Sequence, residues 1–177
     1  GGTDTLDFSP TQTRSVEVNL ASAAAQVVNP NLTLTIAAGV VIENATGGDL
    51  ADKLTGNGVA NLLRGGLGDD ILDGAGGTDA VFESRDADFI LTNAQLRIGM
   101  ENDSLANIEQ AFLLGGDSSN LMDASSFALG RVAMTGGKGH DHLIGGSGDD
   151  VLFGDDGEDV LEGRAGEDFL VGGADQD

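Results

Sequence analysis

The sequence predicts an all-β fold, a solenoid of short stacked strands, and three observations lead to this prediction. From Gly136 onwards the chain repeats every nine residues, as GGKGHDHLI, GGSGDDVLF, GDDGEDVLE, GRAGEDFLV and the partial row GGADQD. Four earlier rows, which start at Gly47, keep the same register as GGDLADKLT, GNGVANLLR, GGLGDDILD and GAGGTDAVF. All eight complete rows have an aliphatic residue at position eight, which one row alone could not bury. The rows are therefore expected to stack on one another.

Each position of the repeat, written G-G-x-G-x-D-x-U-x, has its own physical role. Glycines at positions one, two and four permit the restricted backbone of a tight turn, which brings carbonyl oxygens together. Position six adds a carboxylate at the turn. The last three residues form a short strand whose middle side chain, U, points to one face. The predicted inward residues are Leu54, Leu63, Leu72, Val81, Leu143, Leu152, Leu161 and Leu170.

Position six has a short oxygen-bearing side chain in every row. The residues there are Asp52, Asn61, Asp70, Asp79, Asp141, Asp150, Asp159, Asp168 and, in the partial row, Asp177. Through these rows, about half of the chain resembles the haemolysin-type RTX family, the calcium-binding nonapeptide repeats of large bacterial secreted proteins. A flexible acidic linker would not need an aliphatic residue at position eight of every row.

The resemblance implies a parallel β-roll in which two nonapeptides complete one coil, so that turns eighteen residues apart lie on the same edge. Several calcium ions then lie between stacked turns, held by backbone carbonyls and by the position-six side chains. Hard oxygen ligands suit calcium better than zinc or magnesium. The implied pairs are Asp52 with Asp70, Asn61 with Asp79, Asp141 with Asp159, Asp150 with Asp168, and Asp159 with Asp177. The turn glycines expected at these sites are Gly65, Gly66, Gly68, Gly136, Gly137, Gly139, Gly145, Gly146, Gly148, Gly154, Gly157, Gly163 and Gly166.

These implied sites are not expected to be equal. In the first array Leu50 and Val59 replace the glycine at position four, and Asn61 lacks a charge, so its sites are expected to be weaker or empty. The pair that includes Asp177 depends on the last residue of the sequence, where fraying would remove it.

A longer internal repeat indicates two large units. GGTDTLDFS at residues 1–9 aligns with GGTDAVFES at residues 76–84, and an Ile-Glu pair precedes glycine rows in both halves. The expected first unit is 1–82, with a β-rich insert at 10–46 and rows at 47–82. The expected second unit is 83–177, with a β-rich insert at 83–135 and rows at 136–177. We expect one elongated solenoid from a longer chain. Residues 36–74 also resemble the β-roll of serralysin-type secreted metalloproteases, which is not their catalytic part.

The inserts are predicted to form mostly strands, because apolar and polar residues alternate in them. The alternating residues are Val16, Val18 and Leu20, then Leu32, Leu34 and Ile36, then Phe89, Leu91, Leu96 and Ile98. A short helix at Ala21–Gln26 is a weaker alternative. Residues 115–123 and 127–135 read as degenerate rows, which are expected to continue the coil without calcium.

The charge of the chain limits its partners. The formal net charge is −22, from 30 acidic and 8 basic residues. This charge excludes a nucleic-acid binder and argues against attraction to anionic membranes, whereas divalent cations are natural partners. The chain contains no cysteine, tryptophan or tyrosine and 7 phenylalanines, so we expect a narrow aliphatic core without disulfides. The resemblance implies a secreted or cell-surface location, with the parent protein exported by type I secretion machinery.

Catalytic chemistry is not predicted. The carboxylates lie at turn positions that the repeat already explains, and His140 and His142 should diverge from each other instead of holding zinc. A different feature is a predicted outer patch of apolar residues at positions seven and nine, expected to contact a neighbouring module or another copy. The residues of this apolar patch are Val151, Phe153, Phe169 and Val171.

Three functions therefore remain open at this stage. The chain could be a calcium-binding module that folds on export and stabilises the secreted parent protein. It could be a structural or adhesive spacer of a large surface protein. It could also be the non-catalytic module of an exported protease, lipase or alginate-modifying enzyme.

Overall fold

The computed structural model describes residues 2–174, so Asp177 and the pair predicted to include it lie outside the described residues. Within that range the chain forms nineteen strands and no helix, which confirms the all-β prediction. The strands are β1 Thr5–Asp7, β2 Glu17–Asn19, β3 Gln26–Asn29, β4 Leu32–Leu34, β5 Asn44–Thr46, β6 Lys53–Asn57, β7 Leu62–Arg64, β8 Ile71–Ala75, β9 Ala80–Ser84, β10 Phe89–Thr92, β11 Gln95–Ile98, β12 Glu101–Ala106, β13 Gln110–Leu114, β14 Leu121–Ser126, β15 Val132–Lys138, β16 His142–Ile144, β17 Val151–Asp156, β18 Val160–Glu162 and β19 Phe169–Gly173.

The helix considered at Ala21–Gln26 is wrong. A turn follows β2, in which the side chain of Asn19 accepts a hydrogen bond from the backbone N–H of Ala21, and β3 already begins at Gln26. An Asn side chain that bonds the backbone two residues later favours a turn over a helix. Among the described residues, no helical segment has the length and hydropathy that crossing a membrane would require.

The chain divides into two compact units, Gly1–Val81 with Glu101–Ile108, and Phe82–Met100 with Glu109–Asp177. In the first unit, β1, β5, β7 and the start of β9 form one parallel sheet, and β2, β6, β8 and β12 form another. Strands β3 and β4 add an antiparallel hairpin. The rows pair at a separation of eighteen residues, as Lys53 with Ile71 and Leu62 with Ala80. Two nonapeptides therefore complete one coil.

The inward side chains of the first unit form its core. Leu54, Leu63, Leu72 and Val81 have no exposed surface, as the repeat predicted. The insert supplies Val16, Val18 and Leu20 to the same core, whereas Leu32 in the hairpin is exposed. Because neighbouring strands belong to different coils, each leucine packs on the row before and the row after it.

In the second unit, the end of β9 with β13, β15, β17 and β19 forms one sheet, and β11, β10, β14, β16 and β18 form the other. The pairings from β13 through β15 and β17 to β19, and from β10 through β14 and β16 to β18, are parallel, whereas β10 and β11 pair antiparallel. The degenerate rows join the coil, because Met122 and Met134 are buried at position eight. Leu143 and Leu152 are fully buried. Leu161 is half-buried and Leu170 is 41% exposed, since they lie in the outermost coil of the described residues.

Several turns keep the same backbone shape where the glycine at position two is lost. Gly66 and Gly137 have φ values of 100° and 107°, in the left-handed region that glycine tolerates. Ala75, Asp155 and Arg164 occupy the same position in other rows, with φ values of 68°, 74° and 73°. A residue with a Cβ is strained in this region, so the stacking of coils must impose the conformation.

Candidate metal-binding turns

The position-six side chains of successive coils form columns. In each column, an Oδ1 atom accepts a hydrogen bond from the backbone N–H of the position-six residue one coil earlier. The distances are 2.7 Å for Asp52 to Asp70, 2.7 Å for Asn61 to Asp79, 2.7 Å for Asp141 to Asp159 and 3.0 Å for Asp150 to Asp168. The structure therefore brings together each of the four predicted pairs that lie within the described residues.

These side chains are buried. Asp70, Asp79 and Asp150 expose at most 1% of their surface, and Asp141 exposes 2%. Burying a carboxylate is costly unless a partner compensates its charge. The Oδ2 atom of Asp141 is buried and has no hydrogen-bond partner among the described residues. An acceptor in this position fits a cation ligand.

The electrostatics of the columns also favour a bound cation. Burial raises the pKa of Asp52, Asp141 and Asp150 above the ordinary aspartate value, although backbone N–H groups partly oppose the effect. The negative charges of Asp159 and Asp168 raise the pKa of Asp141 and Asp150 further. The columns thus concentrate negative charge at the turns.

The glycine at position one makes space for oxygen atoms. A Cβ at Gly145 would overlap both the Oδ2 of Asp150 and the carbonyl oxygen of Gly163 in the next coil. A Cβ at Gly154 would likewise overlap the Oδ2 of Asp159 and the carbonyl oxygen of Gly172. A carboxylate and a carbonyl therefore converge where a side chain would otherwise lie. Hard oxygen donors of these two kinds are the ligands that calcium prefers.

The remaining predicted glycines allow the turns to stack closely. A Cβ at Gly66 would overlap the carbonyl oxygen of Gly48, and one at Gly166 would overlap that of Gly148. The same close approach to the neighbouring coil occurs at Gly68, Gly137, Gly139, Gly146, Gly148 and Gly157, whereas Gly65, Gly136 and Gly163 face the Asp of their own row. A side chain at any of these positions would overlap either the neighbouring coil or the Asp of its own row.

The structure adds Asp103 to a column in the first unit, which the sequence analysis missed. Asp103 is 1% exposed, and its Oδ1 accepts a hydrogen bond from the backbone N–H of Asp70 at 3.0 Å. The sequence separation is 33 residues, so the eighteen-residue rule does not find it. A weaker signal was present: residues 98–106 have Asp103 at position six, Leu105 at position eight and Gly99 at position two.

The two histidines have separate partners within the described residues. The backbone N–H of Glu158 donates to the Nδ1 of His140 at 3.1 Å, and the Nε2 of His142 lies 3.0 Å from the Oε1 of Glu162. Within residues 2–174, no group of three or more His, Cys, Asp or Glu side chains could hold a metal ion by side chains alone. A cation in the turns would therefore need backbone carbonyls as well as carboxylates.

The predicted apolar patch lies on β17 and β19. Phe169 is 58% exposed and Val171 37% exposed, whereas Val151 and Phe153 are half-buried. The rings of Phe153 and Phe169 meet edge to face, with centroids 6.0 Å apart. The four apolar side chains thus form a partly exposed patch on the second unit.

Comparison with known proteins agrees with the geometry. The family described as RTX calcium-binding nonapeptide repeat matches residues 134–161 and 144–177. The family described as peptidase M10 serralysin C terminal matches residues 1–112, which is more than half of the chain. No curated protein matches the chain. This protein therefore belongs to the peptidase M10 serralysin C-terminal family, and it is a calcium-binding RTX module of a secreted protein.

Proposed function

We propose that this chain is a module whose folding is driven by calcium after export. The columns of buried aspartates support the proposal most directly, because the Oδ2 of Asp141 has no hydrogen-bond partner among the described residues. With a net charge of −22, the turns repel one another until a cation neutralises them. Bound calcium would supply positive charge and coordinate the convergent oxygens.

The strongest proposed sites lie in the second unit. Asp141 with Asp159 and Asp150 with Asp168 would supply the carboxylates, and the glycine turns would supply the carbonyls. In the first unit the pairs Asp52 with Asp70 and Asn61 with Asp79 have the same spacing. Leu50 and Val59 stand at position four there, so we propose weaker binding at these turns.

Calcium concentration would then control the fold. Extracellular calcium modules bind with dissociation constants of roughly 10⁻⁴ to 10⁻³ M, far above cytosolic calcium levels. A ligand that binds only the folded state stabilises it by about 2.7 kcal/mol at 100 times its dissociation constant. Several sites acting together would make binding and folding one event. The chain would stay loose during export and fold outside, where the fold opposes backward movement.

A calcium titration of the metal-stripped chain tests this function. Far-UV circular dichroism and hydrodynamic radius would be followed together, with magnesium as the matched control. We expect a cooperative gain of β-structure with compaction at sub-millimolar to millimolar calcium, and none with magnesium. A chain that is fully folded in chelator and indifferent to calcium would contradict the proposal and favour a structural spacer.

The match to the serralysin C-terminal family favours a protease as the parent of this module over a lipase, an alginate-modifying enzyme or an adhesin. The full-length coding sequence decides this point. A zinc-metallopeptidase motif in the parent chain would support the assignment, whereas further tandem repeat units without such a motif would contradict it.

The apolar patch supports a role in contact with an adjoining segment of the parent or with a second copy. The double variant Phe153→Ser with Phe169→Ser should lower the stability or change the association state. Thermal unfolding would measure the first and analytical ultracentrifugation the second, both in calcium. Val160→Ser is the matched control, because Val160 is 53% exposed and lies outside the patch on β18. A double variant that behaves like this control would remove the idea.

A further inference from the structure

Two columns begin with asparagine at position six, whereas the other two columns, and every later position of all four, have aspartate. Asn61 begins a column in the first unit and Asn120 begins one in the second. Both are buried, with 3% and 5% of their surface exposed. The remaining two columns begin with Asp52 and Asp150. The difference follows from the groups that each of these four residues contacts on its outer side, which is the side away from the next coil of its column.

Asn61 meets carbonyl oxygens on that side. Its Nδ2 donates to the carbonyl oxygen of Glu43 at 2.9 Å and to that of Ile42 at 3.4 Å. Its Oδ1 accepts from the backbone N–H of Asn57 at 2.7 Å. Because a backbone N–H can only donate, this bond fixes which end of the amide is oxygen. The amino end therefore faces the carbonyls.

Asn120 repeats this arrangement with different partners. Its Oδ1 accepts from the backbone N–H of Gly116 at 3.0 Å, and its Nδ2 lies 3.4 Å from the Oδ1 of Asp86. Asp86 is held in place by the backbone N–H and the hydroxyl of Ser118, at 3.1 and 3.0 Å. These hydrogen bonds from Ser118 lower the pKa of Asp86, so Asp86 is a carboxylate.

The aspartates that begin the other two columns face the opposite kind of group. The Oδ1 of Asp52 accepts from the backbone N–H of Val16 at 2.6 Å, and that of Asp150 accepts from the N–H of Val132 at 2.7 Å. The first residue of each column thus complements the hydrogen-bonding groups that it contacts in an earlier segment. Aspartate is found where that segment offers an N–H donor, and asparagine where it offers oxygen acceptors.

We propose that Asn61 and Asn120 are metal-free closures, in which an amide N–H₂ group takes the place that a cation would otherwise occupy at the first turn of a column. An aspartate at position 61 would set a carboxylate oxygen against two carbonyl oxygens. An aspartate at position 120 would face the carboxylate of Asp86. The Nδ2 of Asn57 also donates to the carbonyl oxygen of Ile42, at 2.7 Å. Carboxylate and carbonyl oxygens at position 61, or two carboxylates at position 120, are ligands that calcium prefers. The proposal rests on the proposed function, because it assumes calcium between the later turns.

The amide N–H₂ group closes only the side of each asparagine that faces away from the following coil. A Cβ at Gly56 would overlap the Oδ1 of Asn61 and the carbonyl oxygen of Gly74, so this oxygen lies toward the following coil. The predicted site between Asn61 and Asp79 therefore keeps that oxygen. The first turn of each of these two columns can form without calcium, next to the insert strands.

Asn61→Asp and Asn120→Asp test the inference, with the full chain and calcium itself as the probe. Bound calcium per chain would be counted by equilibrium dialysis, and the calcium concentration at half-maximal folding would be measured by far-UV circular dichroism. We expect each variant to bind about one more calcium ion than the wild type at saturation. We also expect each variant to need more calcium than the wild type to fold, and to reach the wild-type β-structure at saturation. Asn31→Asp is the control, because it adds the same charge at an exposed turn.

The outcomes separate this inference from the proposed function. A wild type that binds calcium, with variants that bind no more than it does, would overturn the inference alone. A variant that stays unfolded at all calcium concentrations would also overturn it, because the cation should restore the turn. A wild type that binds no calcium would overturn the proposed function and this inference with it.

Discussion

The two repeat arrays, residues 47–82 and 136–171, share a core but differ at their turns. In both arrays strands pair at a separation of eighteen residues, and the inward residues Leu63 and Leu152 have no exposed surface. At position four, Gly139 and Gly166 of the second array have φ values of 112° and 124°. The comparison shows that strand stacking and turn chemistry are separable properties of the nonapeptide.

The first array departs from the repeat at position four, which is part of the turn. Leu50 and Val59 replace glycine at position four and have no positive φ, whereas the glycine at that position has a positive φ in five of the other six complete rows. Position eight is unaffected, because it depends only on burial between coils. The first array can therefore keep the coil while its proposed calcium sites weaken.

The largest expected effect tests the shared core. Leu63→Ala and Leu152→Ala should each lower the free energy of unfolding by about 2–5 kcal/mol, because each leaves a cavity in a fully buried position. Denaturant unfolding in saturating calcium would measure both. Leu170→Ala is the control and should cost far less, since Leu170 is 41% exposed. Very unequal losses at Leu63 and Leu152 would show that the two cores are not equivalent.

The second prediction tests the difference in turn chemistry. Asp150→Asn should lower the free energy of unfolding in saturating calcium by about 2–4 kcal/mol, because it removes a buried charged ligand of the stronger proposed sites. Asp52→Asn should cost about 1 kcal/mol, since its turn lacks the position-four glycine. Both residues accept one backbone N–H from an earlier segment, so they are matched. Equal losses in calcium would contradict the proposed ranking of the sites.

The third prediction concerns pH in the absence of calcium. Burial raises the pKa of Asp52, Asp141 and Asp150, so the metal-free fold retains protons that the unfolded chain has released. The metal-free fold should therefore be most stable below the ordinary aspartate pKa of about 3.9, and lose stability as pH rises through the raised values. Far-UV circular dichroism in chelator between about pH 3.5 and 7 would measure this loss.

Calcium should change this pH dependence. Protons and calcium compete for the same carboxylates, so stability in calcium should fall on acidification instead. A triple variant with Asn at positions 52, 141 and 150 should show a flatter profile in chelator. A metal-free wild type whose β-structure increases steadily from about pH 4 to pH 7 would contradict the prediction.

The repeat predicted most of the fold and of the candidate turns. A nine-residue period with a buried aliphatic position leaves little choice of register, because a shift by one residue would expose every leucine. The four described pairs of position-six residues follow from that register. The inserts were harder to predict, since Asp103 contacts Asp70 across 33 residues and Asp86 contacts Asn120 across 34, and neither separation is a multiple of nine. The sequence has no fixed period there.

What the sequence by itself determined is the coil: its register, its aliphatic core and the alignment of aspartates in columns, all of which follow from local periodicity. Only the tertiary structure decided what the first residue of each column faces. Ile42 and Glu43 present carbonyl oxygens to Asn61, whereas Val16 presents an N–H to Asp52. The physical reason is that a backbone segment offers donors or acceptors according to its orientation in the folded chain, which composition and spacing do not encode.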